Sequence, residues 1–480
     1  MMASDKPQIE KNYEGQVENS AFGRIFSFRE FKSLSKIAWP LILSSLVTMS
    51  VSITDVIMIG KLGTLELAAA AAASDFYSVF FYLAAGVAAA ISPMISQARG
   101  KRQFREIKTI WIQGFITSAM MWVPAAFAVY HAPSMLSFIG VEQNIVATGA
   151  PYAHMMAITL FPMLALSVMH YFLSAVNRTR IILYVTAVSL PVNILGNYLF
   201  LYGSWGFPDL GLAGAGLASA ITACFMFGSL LCYVLWQPEI RRYLKFPIVK
   251  HKSRELRKEI IRIGLPIGVS HFGEMGVFLF ATVTMGIFGA EVLAAHTIAL
   301  RMAGVFYALP IGYAQAAMVR IGYLHGRNEH ARVNVAIKTI LGFAFVAGLV
   351  MLVLITILRQ DITGAFISEG QMTEVVIAQS SLFLMMLALM QPTVIVGTIG
   401  AGVLRGFKDS TVPMYYSLIC YWGLGFIGAL ILALIVGMGG LGMWIGLLTA
   451  TAAFAVLVAG RIYTLRSTEP QTLSLVKGIV

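Results

Sequence analysis

The sequence predicts an all-α polytopic membrane protein, with 12 transmembrane helices in two parallel-related six-helix lobes around a central cleft. Three observations carry this prediction. Of 480 residues, 58% are hydrophobic and only 12% charged, with a mean hydropathy of +0.80; a soluble domain carries about 25% charged residues. Twelve apolar segments each reach the roughly 20 residues that a helix needs to cross hydrocarbon. The chain also matches itself at a constant offset of 226 residues.

The elements follow in chain order. Residues 1–33 are polar and charged, without the apolar core of a cleavable signal, and read as a cytoplasmic N-terminal tail. Spans near 34–59, 67–97, 106–130, 146–173, 180–202 and 212–236 make an N-lobe, 34–236. A basic stretch, "RRYLKFPIVKHKSRELRK", dominates the linker 237–258. Spans near 259–288, 292–323, 335–358, 375–404, 412–436 and 440–464 make a C-lobe, 259–465, followed by a tail at 466–480. With both termini inside, the outer loops hold only Lys61 and Arg359 of the 34 Lys and Arg residues. That is the positive-inside bias, which orients the chain and assigns the net charge of +12 to contact with anionic lipid rather than nucleic acid. Cys224, Cys232 and Cys420 all fall inside spans with no metal spacing, and read as packing residues.

The 226-residue offset pairs Pro40 with Pro266, Gly60 with Gly286, Gly63 with Gly289, Gly86 with Gly312 and Gly100 with Gly326. It recurs between "LAGAG" (212–216) and "MGGLG" (438–442), with a four-residue slip near 105. Six spans per half is an even number, so the halves share one orientation, and a cleft between them is where carriers of this build place their sites.

Charges inside apolar spans are costly and mark functional positions. Asp55, Asp75 and Glu274 are the three acids so placed, and Arg301 is a cation among them. Glu274 lies about 18 Å up its helix from Arg262, and Asp55 about 28 Å up from Lys36, at 1.5 Å per residue. The offset maps Glu274 onto Thr48 and Asp55 onto Ala281, so each acid belongs to one lobe alone. It maps Asp75 directly onto Arg301, which makes them candidates for a lobe-to-lobe ion pair closing the outer side. Asn193 and Asn197, four apart, share a helix face, and their 226-shifted counterparts are Ile419 and Gly423. With Ser219 and Asp55 they can form a network holding a proton or a sodium ion, or a purely structural amide ladder. His271 shares a helix side with Glu274 without making a metal site, and His271, Phe272 and Tyr77 are candidates to line the cleft, where ring faces attract organic cations. There is no Gly-rich phosphate loop, HExxH pattern or Asp-rich cluster, so no catalytic residue, cofactor or fixed metal is expected.

Four stretches carry a family resemblance: "WPLILSSLVTMSVSITDVIMIGKLG" (39–63), "GLPIGVSHFGEMGVF" (264–278), "LAAHTIAL" (293–300) and "GVLRGFKDSTVP" (402–413). Over roughly 34–465 the chain resembles the multidrug and toxic compound extrusion (MATE) transporters of the NorM type. The resemblance implies a bacterial inner-membrane antiporter, working as a monomer, that exports cationic and amphipathic drugs by alternating access in exchange for H⁺ or Na⁺. It implies that Asp55 and Glu274 are the ion-coupling and substrate acids, with Na⁺ possible at either. Asn193, Asn197 and Ser219 match the N-lobe polar network. The family's acid on span ten is missing, with only Gln391 and Thr393 as polar candidates in its place, which leaves the coupling ion and its stoichiometry open. The rival readings are a flippase or exporter of a lipid-linked or other endogenous metabolite, and an intramembrane transferase, for which no nucleophile–base pair is seen.

Overall fold

The computed structural model describes residues 26–366 and 374–477, with side chains of 26–364 and 374–465; the N-terminal tail to residue 25 and the side chains of the C-terminal tail, 466–480, lie outside these ranges. Twelve helices are long and apolar enough to cross a membrane. They are α1 (Phe28–Gly60), α2 (Thr64–Gly100), α3 (Phe104–Tyr130), α4 (Gln143–Ala175), α5 (Thr179–Phe200), α6 (Leu212–Trp236), α7 (Lys250–Phe288), α8 (Ala290–Gly326), α9 (His330–Gly364), α10 (Glu374–Gly406), α11 (Thr411–Ile435) and α12 (Gly439–Leu465). All twelve expected spans are present. The first helix begins at Phe28 rather than near 34, because the Ser27 hydroxyl caps it by accepting from the Glu30 amide at 3.4 Å. The linker is partly helical, with Pro238–Leu244 forming a short helix whose proline occupies a starting position that needs no N–H.

The repeat is visible as geometry. At the basic end of the molecule, α2–α3 and α8–α9 turn through left-handed residues Arg102 (φ 59) and Asn328 (φ 57). The amide after each of these residues donates to a helical carbonyl five residues back, Gln103 to Ala98 and Glu329 to Leu324. The α4–α5 and α10–α11 turns repeat this with Asn177 (φ 61) and Lys408 (φ 66), the next amides donating from Arg178 to Leu173 and from Asp409 to Leu404. The first pair keeps the 226 offset, but 408 − 177 gives 231 for the second. The counterparts of Asn193 and Asn197 are therefore Leu424 and Gly428 rather than Ile419 and Gly423. Between its two turns the C-lobe therefore carries 5 more residues than the N-lobe. The conclusion that the amides belong to the N-lobe alone is unchanged.

The lobes meet over the halves of their helices nearest the basic loops. Gly86 of α2 crosses Gly268 of α7 so closely that a Cβ on Gly86 would lie 2.3 Å from the Gly268 Cα, and a Cβ on Gly264 would lie 2.4 Å from the Val87 carbonyl oxygen. Polar bonds reinforce the seam: Ser35 with Tyr313 (3.0 Å), Gln315 to Ser92 (3.0 Å) and Gln97 to the Gly406 carbonyl (3.0 Å). At the start of α1, buried Glu30 accepts from Arg320 at 2.8 and 3.0 Å and from Arg332 at 2.9 Å, while the Ser27 amide donates to Thr339 at 3.0 Å. In the opposite halves no hydrogen bond or ion pair joins the lobes among the described residues. One continuous core, including Phe383 and Trp444, fills the C-lobe and takes in Leu34, Ile37 and Ile42 of α1, while two smaller clusters fill the N-lobe, one of them taking in Ile260, Ile263 and Ile267 of α7. Cys420 is buried as packing, whereas Cys224 and Cys232 are exposed on the outside of α6.

Candidate functional site

In the N-lobe, Asp55 is half-buried on α1, and Asn197 donates to its Oδ1 at 2.6 Å from α5. The same Nδ2 donates to Asn193 Oδ1 at 3.3 Å, and the two asparagines are 0% and 1% exposed. Spacing of four along an apolar helix turns both amides to one side, and Gly196 between them lets α5 close on α6 against Ala218. The Asn197 Oδ1 atom is buried with no partner. A buried acceptor without a donor is costly, and beside a carboxylate it adds to the oxygen ligands that a hard cation takes. Among the described residues there is no group of three His, Cys, Asp or Glu side chains able to hold a metal ion. Tyr202, whose hydroxyl donates to the Met58 carbonyl at 2.7 Å, ties the far end of α1 to the chain after α5.

In the C-lobe, Glu274 on α7 is half-buried and accepts at Oε1 from the Tyr307 hydroxyl of α8 at 2.9 Å. The neighbouring carbonyl of Gly273 accepts from the Trp422 indole of α11 at 3.0 Å. Gly273 and Gly276 make room for that contact, since a Cβ on Gly276 would lie 2.8 Å from the Trp422 ring. Here α11 is π-helical over Ile419–Ile427, a local widening found at functional sites. Arg405, from the basic end of α10, lies within electrostatic reach of Glu274, His271 and Tyr307, and of Tyr171 across the seam, without forming an ion pair among the described residues. Thr48, the counterpart of Glu274, spends its hydroxyl on the Ser44 carbonyl of its own helix at 3.0 Å.

Sequence reasoning missed Tyr307 and Arg405. A carboxylate in a span needs a donor from a neighbouring helix, which was a reason to look along α8, but only packing selects which tyrosine supplies it.

Several expectations are corrected. Ser219 on α6 is half-buried and makes no hydrogen bond among the described residues, so it is not joined to Asp55. Tyr77 is buried in the N-lobe, stacked on Phe81 at 5.8 Å with its hydroxyl unpartnered, so it does not line the cleft. Gln391 is buried in the C-lobe and turned back on its own helix, its amide donating to the Leu387 carbonyl at 3.3 Å. Phe272 is exposed and His271 half-buried beside Glu274. Asp75 and Arg301 are both exposed in the halves away from the basic loops and form no ion pair among the described residues, although Arg301 is within electrostatic reach of Asp75.

Comparison with known proteins adds the family. A family model described as MatE matches residues 40–199 and again 266–431, the two matches beginning at Pro40 and Pro266. A probable multidrug resistance protein NorM of Brucella suis is 32% identical over 438 residues, covering 90% of this chain and 93% of that protein. The same description belongs to a protein of Synechocystis that is 28% identical over 442 residues, covering 91% and 94%. Among solved structures, the eukaryotic MATE transporter AtDTX14 superposes with a TM-score of 0.82 at 22% identity, over 91% of this chain and 96% of that one. A MATE structure in the bent conformation gives 0.80 at 19% identity, over 92% and 97%. These two likenesses speak to the fold.

Proposed function

This chain belongs to the MatE family of transporters, and we propose that it exports organic cations and amphipathic drugs in exchange for H⁺ or Na⁺, by alternating access of the cleft between its lobes. As a family member it is a multi-pass inner-membrane transporter and not an enzyme. The observation that carries the proposal is that Asp55 and Glu274 each accept a hydrogen bond from a neutral donor and form no ion pair among the described residues, Asp55 with the Asn197 amide and Glu274 with the Tyr307 phenol. Burial in an apolar medium penalises an ionised carboxylate unless a cation joins it. A proton, a sodium ion and an organic cation can each supply that charge, so they compete. Competition at one carboxylate makes binding of one cation promote release of another, which is exchange by linkage. Each charge crossing the membrane couples to about 2.3 kcal/mol per 100 mV.

The basic loops support placing both termini in the cytoplasm. The lobes, taken as 34–236 and 259–465, then close on the cytoplasmic side and open outward. The working unit is a monomer, since each chain carries both lobes and both acids. Efflux of ethidium from loaded cells tests the reading, driven in turn by a pH gradient and by a Na⁺ gradient. Wild type is compared with Asp55→Asn and Glu274→Gln at equal expression. One gradient should drive efflux, and both variants should lose it. Variants that pump like wild type would make the acids structural and end the proposal.

A further inference from the structure

At the basic end of the N-lobe, α1, α2, α5 and α6 form, with the short helix Pro238–Leu244, the walls of a half-open cavity of about 410 Å³. Lys36, Arg99, Arg178, Arg180 and Arg242 line it, with Glu239 as the one carboxylate. Glu239 is already in contact with Arg178. Arg99 donates to the Ala175 carbonyl and Arg242 to the Tyr243 hydroxyl at 3.1 Å, both neutral partners. Lys36 and Arg180 are exposed and have no hydrogen bond or ion pair among the described residues. Five cations thus face one acid in a space of ordinary ligand size.

The C-lobe shows that this surplus is not a requirement of the fold. Its α10–α11 turn has the same backbone, yet the position of Arg178 is taken by Asp409, which accepts from Arg461 at 2.8 Å. The adjacent Lys408 is paired with Glu259 at 2.7 Å, and Glu329 of the α8–α9 turn pairs with Arg327 at 2.6 Å and Arg332 at 2.8 Å. At these turns the C-lobe cations Lys408, Arg461, Arg327 and Arg332 each meet a carboxylate, whereas Lys36 and Arg180 of the N-lobe cavity meet none among the described residues.

Position identifies what that is. Trp39 lies one turn along from Lys36, Tyr184 one turn along from Arg180, and Trp236 ends α6 beside the cavity; they are 53%, 62% and 82% exposed. Trp and Tyr side chains are enriched at the headgroup layer of a bilayer. The first turn of α5, from Thr179, also forms part of the wall, and the start of a helix carries N–H groups without helical partners. We propose that this cavity binds the phosphate headgroup of an anionic phospholipid, with Lys36 and Arg180 as its principal cations and the acyl chains lying outside against the aromatic side chains. Basic pockets at helix ends on the positively charged side are built for such headgroups.

Native mass spectrometry and thermal unfolding of the full-length detergent-purified protein test this with dioleoyl phosphatidylglycerol, dioleoyl phosphatidylcholine and inorganic phosphate. Phosphatidylglycerol should bind and raise the melting temperature, and phosphatidylcholine should not. Lys36→Gln/Arg180→Gln should weaken phosphatidylglycerol binding about 25-fold, at about 1 kcal/mol per cation. Because neither side chain has a partner to lose, the variant should fold as wild type does, which its unchanged melting temperature without lipid checks. Lys101→Gln/Lys245→Gln, outside the cavity, should bind like wild type. Equal binding of the two lipids, or equal loss in both double variants, would overturn the site. Inorganic phosphate matching phosphatidylglycerol at the same concentration would overturn the lipid assignment.

Discussion

The N-lobe and the C-lobe place one carboxylate each on pseudo-equivalent first helices, α1 and α7, and solvate them differently. Asp55 takes an amide from α5, four helices along, and keeps an unpartnered amide oxygen beside it. Glu274 takes a phenol from α8, the next helix in the chain, with an indole on the adjoining carbonyl. Duplication fixes where the backbone runs, and each copy is then free to change its polar chemistry. Two unlike sites in one carrier can prefer unlike cations: amide oxygens suit a hard ion, and a phenol beside aromatic rings suits an organic cation or a proton.

The largest effect on this comparison is expected at the seam joining the lobes. Glu30→Ala removes the acid that Arg320 and Arg332 share; Arg332 keeps Glu329, but the more buried Arg320 is left without a carboxylate, at a cost of about 3–5 kcal/mol. Thermal unfolding should show the loss, and a cysteine placed at Ser92 should become more reactive to a membrane-impermeant maleimide applied from the cytoplasmic side. Unchanged labelling would mean that the remaining seam bonds close the lobes without Glu30. Next come the donors. Asn197→Ala and Tyr307→Phe should each cost about 1–3 kcal/mol by stranding a half-buried carboxylate. Lying in different lobes, the two losses should add to within about 0.5 kcal/mol in the double variant. A larger coupling energy would break the idea of independent sites. The smallest effect is expected at the exposed Asp75, where Asp75→Arg should alter stability by less than about 1 kcal/mol. If Asp75 and Arg301 meet when the outer halves close, Asp75→Arg and Arg301→Asp should each lower efflux and the double reversal should restore it. A double variant no better than the singles removes that pair from the transport cycle.

Much of this was readable from the chain. Twelve spans follow from length and hydropathy, and the Asp55 partners were legible because two asparagines four apart in an apolar helix announce a shared polar face. Tyr307 was not legible, since nothing along α8 distinguishes it from other tyrosines until α7 packs beside it. Ser219 and Tyr77 misled because small polar and aromatic residues pack membrane helices as often as they line cavities. The cationic cavity escaped notice for a different reason. Its lining runs from Lys36 to Tyr243, and each cation read singly is an ordinary inside-loop charge.

One consequence of the polar bonds along α1 concerns force rather than affinity. The helix is gripped near its start by Arg320 and Arg332 of the C-lobe through Glu30, and near its far end by Asn197 of the N-lobe through Asp55. The grips are 25 residues apart, about 38 Å along the axis, with Pro40 between them as the natural place to flex. Such a helix is a strut anchored in both halves of the machine. It cannot bend, straighten or slide without straining one anchor against the other, so loosening either end changes the load on its opposite.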